Sequence, residues 1–123
     1  METLGSYEKR EYYTSGDITD SAKYAKYTYC SVDFDSNPYF QKMNHYQKRE
    51  LMTHIDNFEA WSEAIEKYDP DNILSERYDF DTSVITMDDY VYIYDDPDSD
   101  YLWWYDVYYF DMETLTLYYF HKS

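Results

Sequence analysis

The sequence predicts an α+β fold in which an antiparallel β-sheet of three to five strands packs against one long helix. Apolar residues recur at helical spacing in the middle of the chain, whereas the last third alternates in the manner of strands joined by short turns. The chain has 123 residues, of which 23% are aromatic, so residues 1–123 suffice for one domain with its own core.

The first third of the chain contains two predicted strands and a predicted short helix. Tyr12 and Tyr13 begin the first strand, and a helix capped by Asp17 or Thr19 runs to about Lys26. From Tyr27 to Phe34, β-forming residues alternate between two faces, which predicts a second strand.

The middle third carries the predicted long helix. Asn37 is a suitable N-cap, and Pro38 suits the first helical position. The apolar positions that follow form one helix face: Phe40, Met43, Leu51, Ile55, Phe58, Trp61, Ile65 and Tyr68. Because a helix from Phe40 to Tyr68 is long for a small domain, a break near residues 44–47 is the alternative.

The last third is predicted to form a meander of three strands: Met87–Tyr94, Tyr101–Phe110 and Leu115–Phe120. Their short connections imply antiparallel neighbours. Residues 82–86 either extend the first of these strands or form a separate one. The helix covers one side of the sheet, so the other side presents tyrosine rings to water or to a partner. Both faces of the Tyr101–Phe110 strand are aromatic, and the sequence does not decide which face meets the helix.

The net negative charge is concentrated in the second half of the chain. The 26 Asp and Glu against 10 Lys and Arg give a net charge of −16. Residues 1–67 contribute −4 of this, and residues 68–123 contribute −12. Such a field repels nucleic acid and anionic membranes and attracts basic surfaces. We therefore expect neither direct nucleic-acid binding nor membrane association.

The predicted helix carries an acidic stripe, Asp56, Glu59, Glu63 and Glu66, opposite its apolar face. Neighbours three or four apart on a helix lie about 5–6 Å apart, similar to successive phosphates of a DNA strand. The stripe is therefore interpreted either as an ordinary solvated helix face or as an imitation of part of a phosphate backbone.

No recognised catalytic or metal-binding pattern occurs. The run Asp96, Asp98, Asp100 resembles the start of a calcium loop, but Tyr101 and Val107 stand where the loop needs Gly and Glu. The three histidines do not have zinc-ligand spacing, and two glycines are too few for a backbone phosphate cradle. We expect no cofactor, no metal and no enzymatic activity.

Cys30 is the single cysteine and has no partner for an internal disulfide. It is interpreted as an inert strand residue in preference to a nucleophile. Met1–Tyr7 lacks a basic segment followed by an apolar one, so no secretory signal is expected. Together these features favour the cytoplasm of a bacterial cell.

The acidic, tyrosine-rich stretch Asp69–Glu113, taken with the helical acidic stripe, resembles small acidic anti-defence proteins of phages. This class includes DNA-mimic anti-restriction and anti-CRISPR inhibitors. The resemblance implies an inhibitor whose carboxylates stand in for phosphates in the groove of a basic nucleic-acid-binding protein or nuclease. The expected partner-binding residues are Asp56, Glu59, Glu63, Glu66, Asp88, Asp89, Tyr90, Tyr92, Tyr94, Asp95, Asp96, Asp98, Asp100, Trp103 and Tyr105.

Two alternatives remain open. The protein is either a host-takeover or immunity factor that docks away from any DNA site, or a virion or assembly component that oligomerises through its tyrosines. The sequence leaves the oligomeric state undetermined.

The charge of −16 predicts a salt-dependent stability. The Debye length falls from about 30 Å at 0.01 M to about 8 Å at 0.15 M ionic strength, which screens self-repulsion in the folded state. We expect Tm to rise over this range in thermal unfolding followed by circular dichroism. A flat or falling Tm would contradict a clustered acidic surface.

Overall fold

In the part of the chain that the structure describes, six antiparallel strands form one sheet with one α-helix on one side. The computed structural model describes residues 9–16, 21–30, 32, 34, 39–66, 78–95 and 104–122. The elements are β1 (Lys9–Gly16), β2 (Ser21–Thr28), β3 (Gln41–Lys42), α1 (His45–Glu66), a 3₁₀ helix (Thr82–Val84), β4 (Tyr90–Asp95), β5 (Tyr105–Asp111) and β6 (Thr116–Lys122). The α+β class is confirmed, and the two-residue β3 brings the strands to one more than expected.

The sheet has the strand order β1-β2-β6-β5-β4-β3. All neighbouring strands within the sheet pair antiparallel. The meander of β4, β5 and β6 is confirmed, and β6 lies between β5 and the N-terminal β2. The two middle strands, β6 and β5, are therefore paired on both sides.

The predicted N-terminal helix ending near Lys26 is wrong, because Ser21–Thr28 is strand β2. Its alanines and lysines favour a helix only weakly, while pairing with β1 and β6 on both sides favours a strand. The strand predicted at Tyr27–Phe34 is correspondingly misplaced. Cys30 lies just past the end of β2 and is exposed, so it is not a strand residue. The proposed caps Asp17 and Thr19 lie outside the described residues.

The long helix begins later than Phe40. Its N-cap is Asn44, whose Oδ1 accepts a hydrogen bond of 2.8 Å from the Gln47 backbone N–H. Helix α1 thus starts where the sequence allowed a break, and Gln41–Lys42 before it pairs with β4 instead. The predicted N-cap Asn37 and first helical residue Pro38 lie outside the described residues.

The main core lies between α1 and one face of the sheet. The helix contributes Leu51, Ile55 and Phe58, all at most 1% exposed. Their spacing of four and three places them on one helical face, as the periodicity predicts. From the sheet, β5 contributes Tyr105, Val107 and Tyr109. This is therefore the face of β5 that meets the helix, a choice that the sequence left open.

A smaller core lies on the opposite side of the sheet, at one end of the strands. It comprises Tyr29, Phe40, Phe110 and Leu117. Phe34 covers this end, with its ring stacked on Tyr90 at 4.1 Å between centroids. Aromatic contacts therefore close only part of this face.

Two buried carboxylates organise the connections around β4 and β5. Asp89 accepts hydrogen bonds from the Met112 N–H (2.9 Å), the Thr86 N–H (3.0 Å) and hydroxyl (3.1 Å), and the Tyr109 hydroxyl. Asp111 accepts from the Glu113 N–H (3.0 Å) and the Thr114 hydroxyl (3.0 Å), which fixes the predicted turn between β5 and β6. Within residues 82–86, Thr82–Val84 form a 3₁₀ helix capped by Asp81 and the next two residues are in no strand, so the prediction of a strand there is wrong.

Replacing Asp89 should destabilise the fold strongly. In Asp89→Asn, the NH₂ group of the amide would face protein groups that are themselves donors. The remaining hydrogen bonds would also lose the negative charge of their acceptor. We expect the free energy of unfolding to fall by about 2–4 kcal/mol in urea titrations. Asp88→Asn is the matched control, because Asp88 is exposed and its loss changes the net charge equally. We expect that control to change stability by less than about 0.5 kcal/mol, and equal losses in both variants would contradict the role of Asp89.

Candidate functional site

The candidate site is the part of the sheet that faces away from α1 and lies beyond the smaller core. Strand register places side chains in three rows across this face. The first row, Tyr27, Leu117, Phe110 and Tyr90, belongs to the smaller core. The second row is Ala25, Tyr119, Tyr108 and Tyr92, and the third is Lys23, His121, Asp106 and Tyr94. We call the second and third rows the open face.

Stacked tyrosine rings dominate the open face. Tyr92 lies 5.6 Å from Tyr108 with an interplanar angle of 18°, and Tyr108 lies 4.9 Å from Tyr119 at 26°. Tyr39 extends the stack past the sheet edge, 5.6 Å from Tyr92 at 22°. The resulting tyrosine row, Tyr39, Tyr92, Tyr108 and Tyr119, offers a continuous series of rings for contact with a partner.

Beside this row, Asp106 joins a tyrosine and a histidine. Its Oδ1 accepts hydrogen bonds from the Tyr119 hydroxyl at 2.6 Å and from His121 Nδ1 at 2.7 Å. Burial acts to raise the pKa of Asp106, but these hydrogen bonds and the nearby charge of Lys23 outweigh it and lower the pKa below its usual value. Asp106 therefore remains ionised and holds both rings in place.

The phenols of Tyr92 and Tyr108 remain neutral at physiological pH. Burial raises the pKa of Tyr108 to about 12, and the charge of Asp106 adds to the shift. The pKa of Tyr92 is also raised, by its partial burial and by Tyr94 and Tyr39. The open face thus presents these two neutral phenols within a series of rings, beside the fixed carboxylate of Asp106.

Three of the predicted partner-binding residues share the face away from α1. Tyr92 is half-buried within the tyrosine row, and Tyr94 is 53% exposed and lies 5.3 Å from Trp104. Tyr90 occupies the first row and is covered by Phe34, which leaves it at the border of the site. Period-two alternation along β4 is what brings the three tyrosines to one face.

Two of the predicted partner-binding residues are buried, which is a correction. Asp89 is 1% exposed, inside the hydrogen-bond network described above. Tyr105 is fully buried under α1, and its hydroxyl donates to Asn57 Oδ1 at 2.9 Å. Neither side chain reaches a partner, because each is enclosed by groups from other segments.

Among the remaining predicted residues, those whose side chains the structure describes do not join the open face. Asp56, Glu59 and Asp88 lie in the helical layer or the loop before β4, and Asp95 bonds to His54 of α1 at 2.9 Å. The acidic stripe of the helix is therefore on the opposite side of the sheet from the tyrosine row. Glu63 and Glu66 belong to α1, but their side chains are not described, and four further predicted residues lie outside the described residues altogether: Asp96, Asp98, Asp100 and Trp103.

Sequence reasoning missed several members of the site, namely Tyr39, Asp106, Tyr108, Tyr119 and His121. Alternation does place Asp106 with Tyr108, and it places Tyr119 with His121, each pair on one face of its strand. Nothing in the sequence fixes the register that sets these pairs side by side.

In the described part of the chain, no group of three or more His, Cys, Asp or Glu side chains is placed to hold a metal ion. Within that same part, no helix combines the length and the apolar character needed to cross a membrane. No protein-family model, no curated protein and no solved structure matches the chain.

The lowered pKa of Asp106 predicts an acid-dependent contribution to stability. A carboxylate whose pKa is lower in the folded state stabilises the fold above its unfolded pKa of about 3.9 and loses that effect as the pH falls through its folded pKa. Asp106→Asn should therefore be less stable than the wild type at neutral pH, and the gap should shrink below about pH 3. Urea unfolding at both pH values measures this, with the exposed Asp56→Asn as control. A gap that is equal at the two pH values would contradict the assignment.

Proposed function

We propose that the protein is a non-catalytic inhibitor that binds a nucleic-acid-processing defence enzyme of a bacterial host. The target class comprises CRISPR effectors, restriction enzymes and other nucleases, and the proposed place of action is the bacterial cytoplasm. Binding occupies the basic groove that otherwise holds DNA. The open face supplies contact area, and the acidic surround supplies attraction and competition with phosphates.

A stacked tyrosine row on a chain of net charge −16 is the observation that carries this proposal. Grooves that bind nucleic acid are rich in Arg and Lys, whose side chains stack on tyrosine rings and pair with carboxylates. Tyrosine and arginine also dominate the energetic centres of protein interfaces. The open face supplies such rings, and the carboxylate of Asp106, which is fixed by its own hydrogen bonds, lies directly beside the row.

The placement of the acidic residues restricts how such an inhibitor would bind. The helical stripe around Asp56 lies behind the sheet, so one groove would not contact it together with the tyrosine row. The nearest run of carboxylates in sequence comprises Asp96, Asp98 and Asp100, which directly follow β4, whereas Asp95 itself bonds to His54 of α1. We therefore place the proposed contact at the open face and this run.

A second candidate is a protein that docks on its target away from any DNA site. The composition of the third row favours it, because the cation of Lys23 and the imidazole of His121 accompany Asp106 there. Such a row does not resemble a series of phosphates. Under this alternative, the acidity serves solubility and the aromatic rings supply the affinity.

The proposed function predicts competition with DNA. Immobilised protein is incubated with a bacterial lysate, with and without excess duplex DNA, and the captured proteins are identified by mass spectrometry. We expect a nucleic-acid enzyme to be captured and to be displaced by the duplex. A partner retained at saturating DNA would contradict mimicry and support the second candidate.

The purified partner then tests the open face. Tyr94→Ala should weaken binding about tenfold, as expected for an aromatic interface residue. Met87→Ala is the matched control, because Met87 is 38% exposed and lies before β4, outside the open face. Equal affinities of both variants, measured by surface plasmon resonance, would remove the open face from the interface.

A further inference from the structure

Part of the outer edge of β4 has no strand beside it among the described residues. Strand β3 pairs only with Tyr90 and Val91, through Lys42 and Gln41. Beyond Val91, no strand among the described residues continues this pairing. An edge of this kind is a template for an added strand.

The alternation of the backbone shows which groups face outward. The Met43 N–H donates to the Asp89 carbonyl at 2.9 Å, across the β3 side. In an antiparallel strand, the N–H and C=O of one residue point to the same side, and successive residues alternate. The backbone groups of Ile93 and Asp95 therefore face the outer edge, whereas those of Tyr92 and Tyr94 face β5.

Two adjoining hollows line this edge. One lies among Tyr39, Gln41, Gln47, Val91, Tyr92 and Ile93. The other lies among Tyr46, Gln47, Glu50, Ile93 and Asp95. Ile93 and Gln47 border both, so the hollows adjoin along the strand, between β4 and the first turns of α1. This provides space beside the outward-facing backbone.

The chemistry of the second hollow indicates a basic occupant. Glu50 and Asp95 are its two acidic residues, and Asp95 keeps a 36% exposed side chain despite its bond to His54. Ile93 and Asp95 both lie on the side of the sheet that faces α1. Residues placed directly opposite each other in antiparallel strands point to the same face. The occupant residues that bond to Ile93 and Asp95 would thus turn their side chains toward Glu50.

We propose that the β4 edge over Tyr92–Asp95 binds an extended basic segment of a partner protein, which adds to the sheet as a strand. Lysine or arginine stands opposite Ile93 and Asp95, and smaller apolar residues alternate with it on the Tyr92 side. A second copy of this chain is a less suitable occupant, because pairing would bring together two molecules that each carry a charge of −16.

The test uses a fluorescein-labelled peptide of alternating lysine and valine, about eight residues long so that it spans the strand. Fluorescence anisotropy with the full chain at fixed salt measures its Kd. Methylating the lysine backbone nitrogens removes the donors that face Ile93 and Asp95 and should weaken binding about tenfold or more. Methylating the valine nitrogens instead should change Kd by less than about threefold, because those groups face away from β4.

Charge is tested on the protein side. Glu50→Lys should weaken binding about fivefold or more, whereas Glu113→Lys, an equal change at an exposed position in the β5–β6 turn, should stay within about twofold. Equal effects of the two methylated peptides would overturn strand addition. Equal effects of the two protein variants would show that the peptide is attracted by the net charge and not by Glu50, against the proposal. A wild-type dimer in sedimentation that the lysine–valine peptide dissociates would assign the edge to a second copy, against the proposal.

Discussion

The buried carboxylate of Asp89 fixes the arrangement on which both candidate surfaces depend. It joins the loop before β4, the Tyr109 hydroxyl on β5 and the Met112 N–H in the following turn. These groups come from three segments, so their common acceptor sets how β4 lies against β5. The position of β4 in turn decides where Tyr92 stacks and which backbone groups form the outer edge. A buried acid of this kind is stable only when hydrogen-bonded, and four donors meet that condition.

The tyrosines divide into two populations according to what their hydroxyls contact. On the helix side, Tyr24 donates to Asp79 at 2.7 Å and Tyr105 donates to Asn57. Burial, with the hydrogen bond to Asp79, raises the pKa of Tyr24 far above its usual value, so this phenol remains a donor. On the open face, the tyrosine rings stack on one another, and the Tyr119 hydroxyl at the end of the row donates to Asp106. On the helix side, tyrosine thus fills the core where an acceptor is supplied, whereas on the open face its rings stack at the surface.

The sequence predicted the elements whose pattern is local and missed those that depend on neighbours. The helical face of Leu51, Ile55 and Phe58 follows from spacing alone, as does the alternation in β4. Strand β2 was missed because its residues Lys23–Lys26 show no apolar alternation, and only pairing with β1 and β6 makes them a strand. Only the part of the candidate site that lies on a single strand could be predicted, because the rest depends on neighbouring strands. The tyrosines of β4 share a face by alternation, but their stacking on Tyr108 requires the register between strands.

The burial of Asp89 shows why counting acidic residues overstates an acidic surface. Within the stretch interpreted from sequence as one acidic surface, Asp89 and Asp111 are buried, and Asp79 and Asp106 are held by hydrogen bonds from other strands. These residues contribute to the net charge and to folding at once, because each compensates donors that the fold would otherwise leave unpaired. A solvated carboxylate is free to exchange water for a basic partner, whereas one that already holds protein donors would have to break those bonds first. Recognition by charge therefore falls to acids whose side chains stay partly exposed, such as Asp95, and the aromatic rows and the strand edge must provide the specificity that charge alone does not.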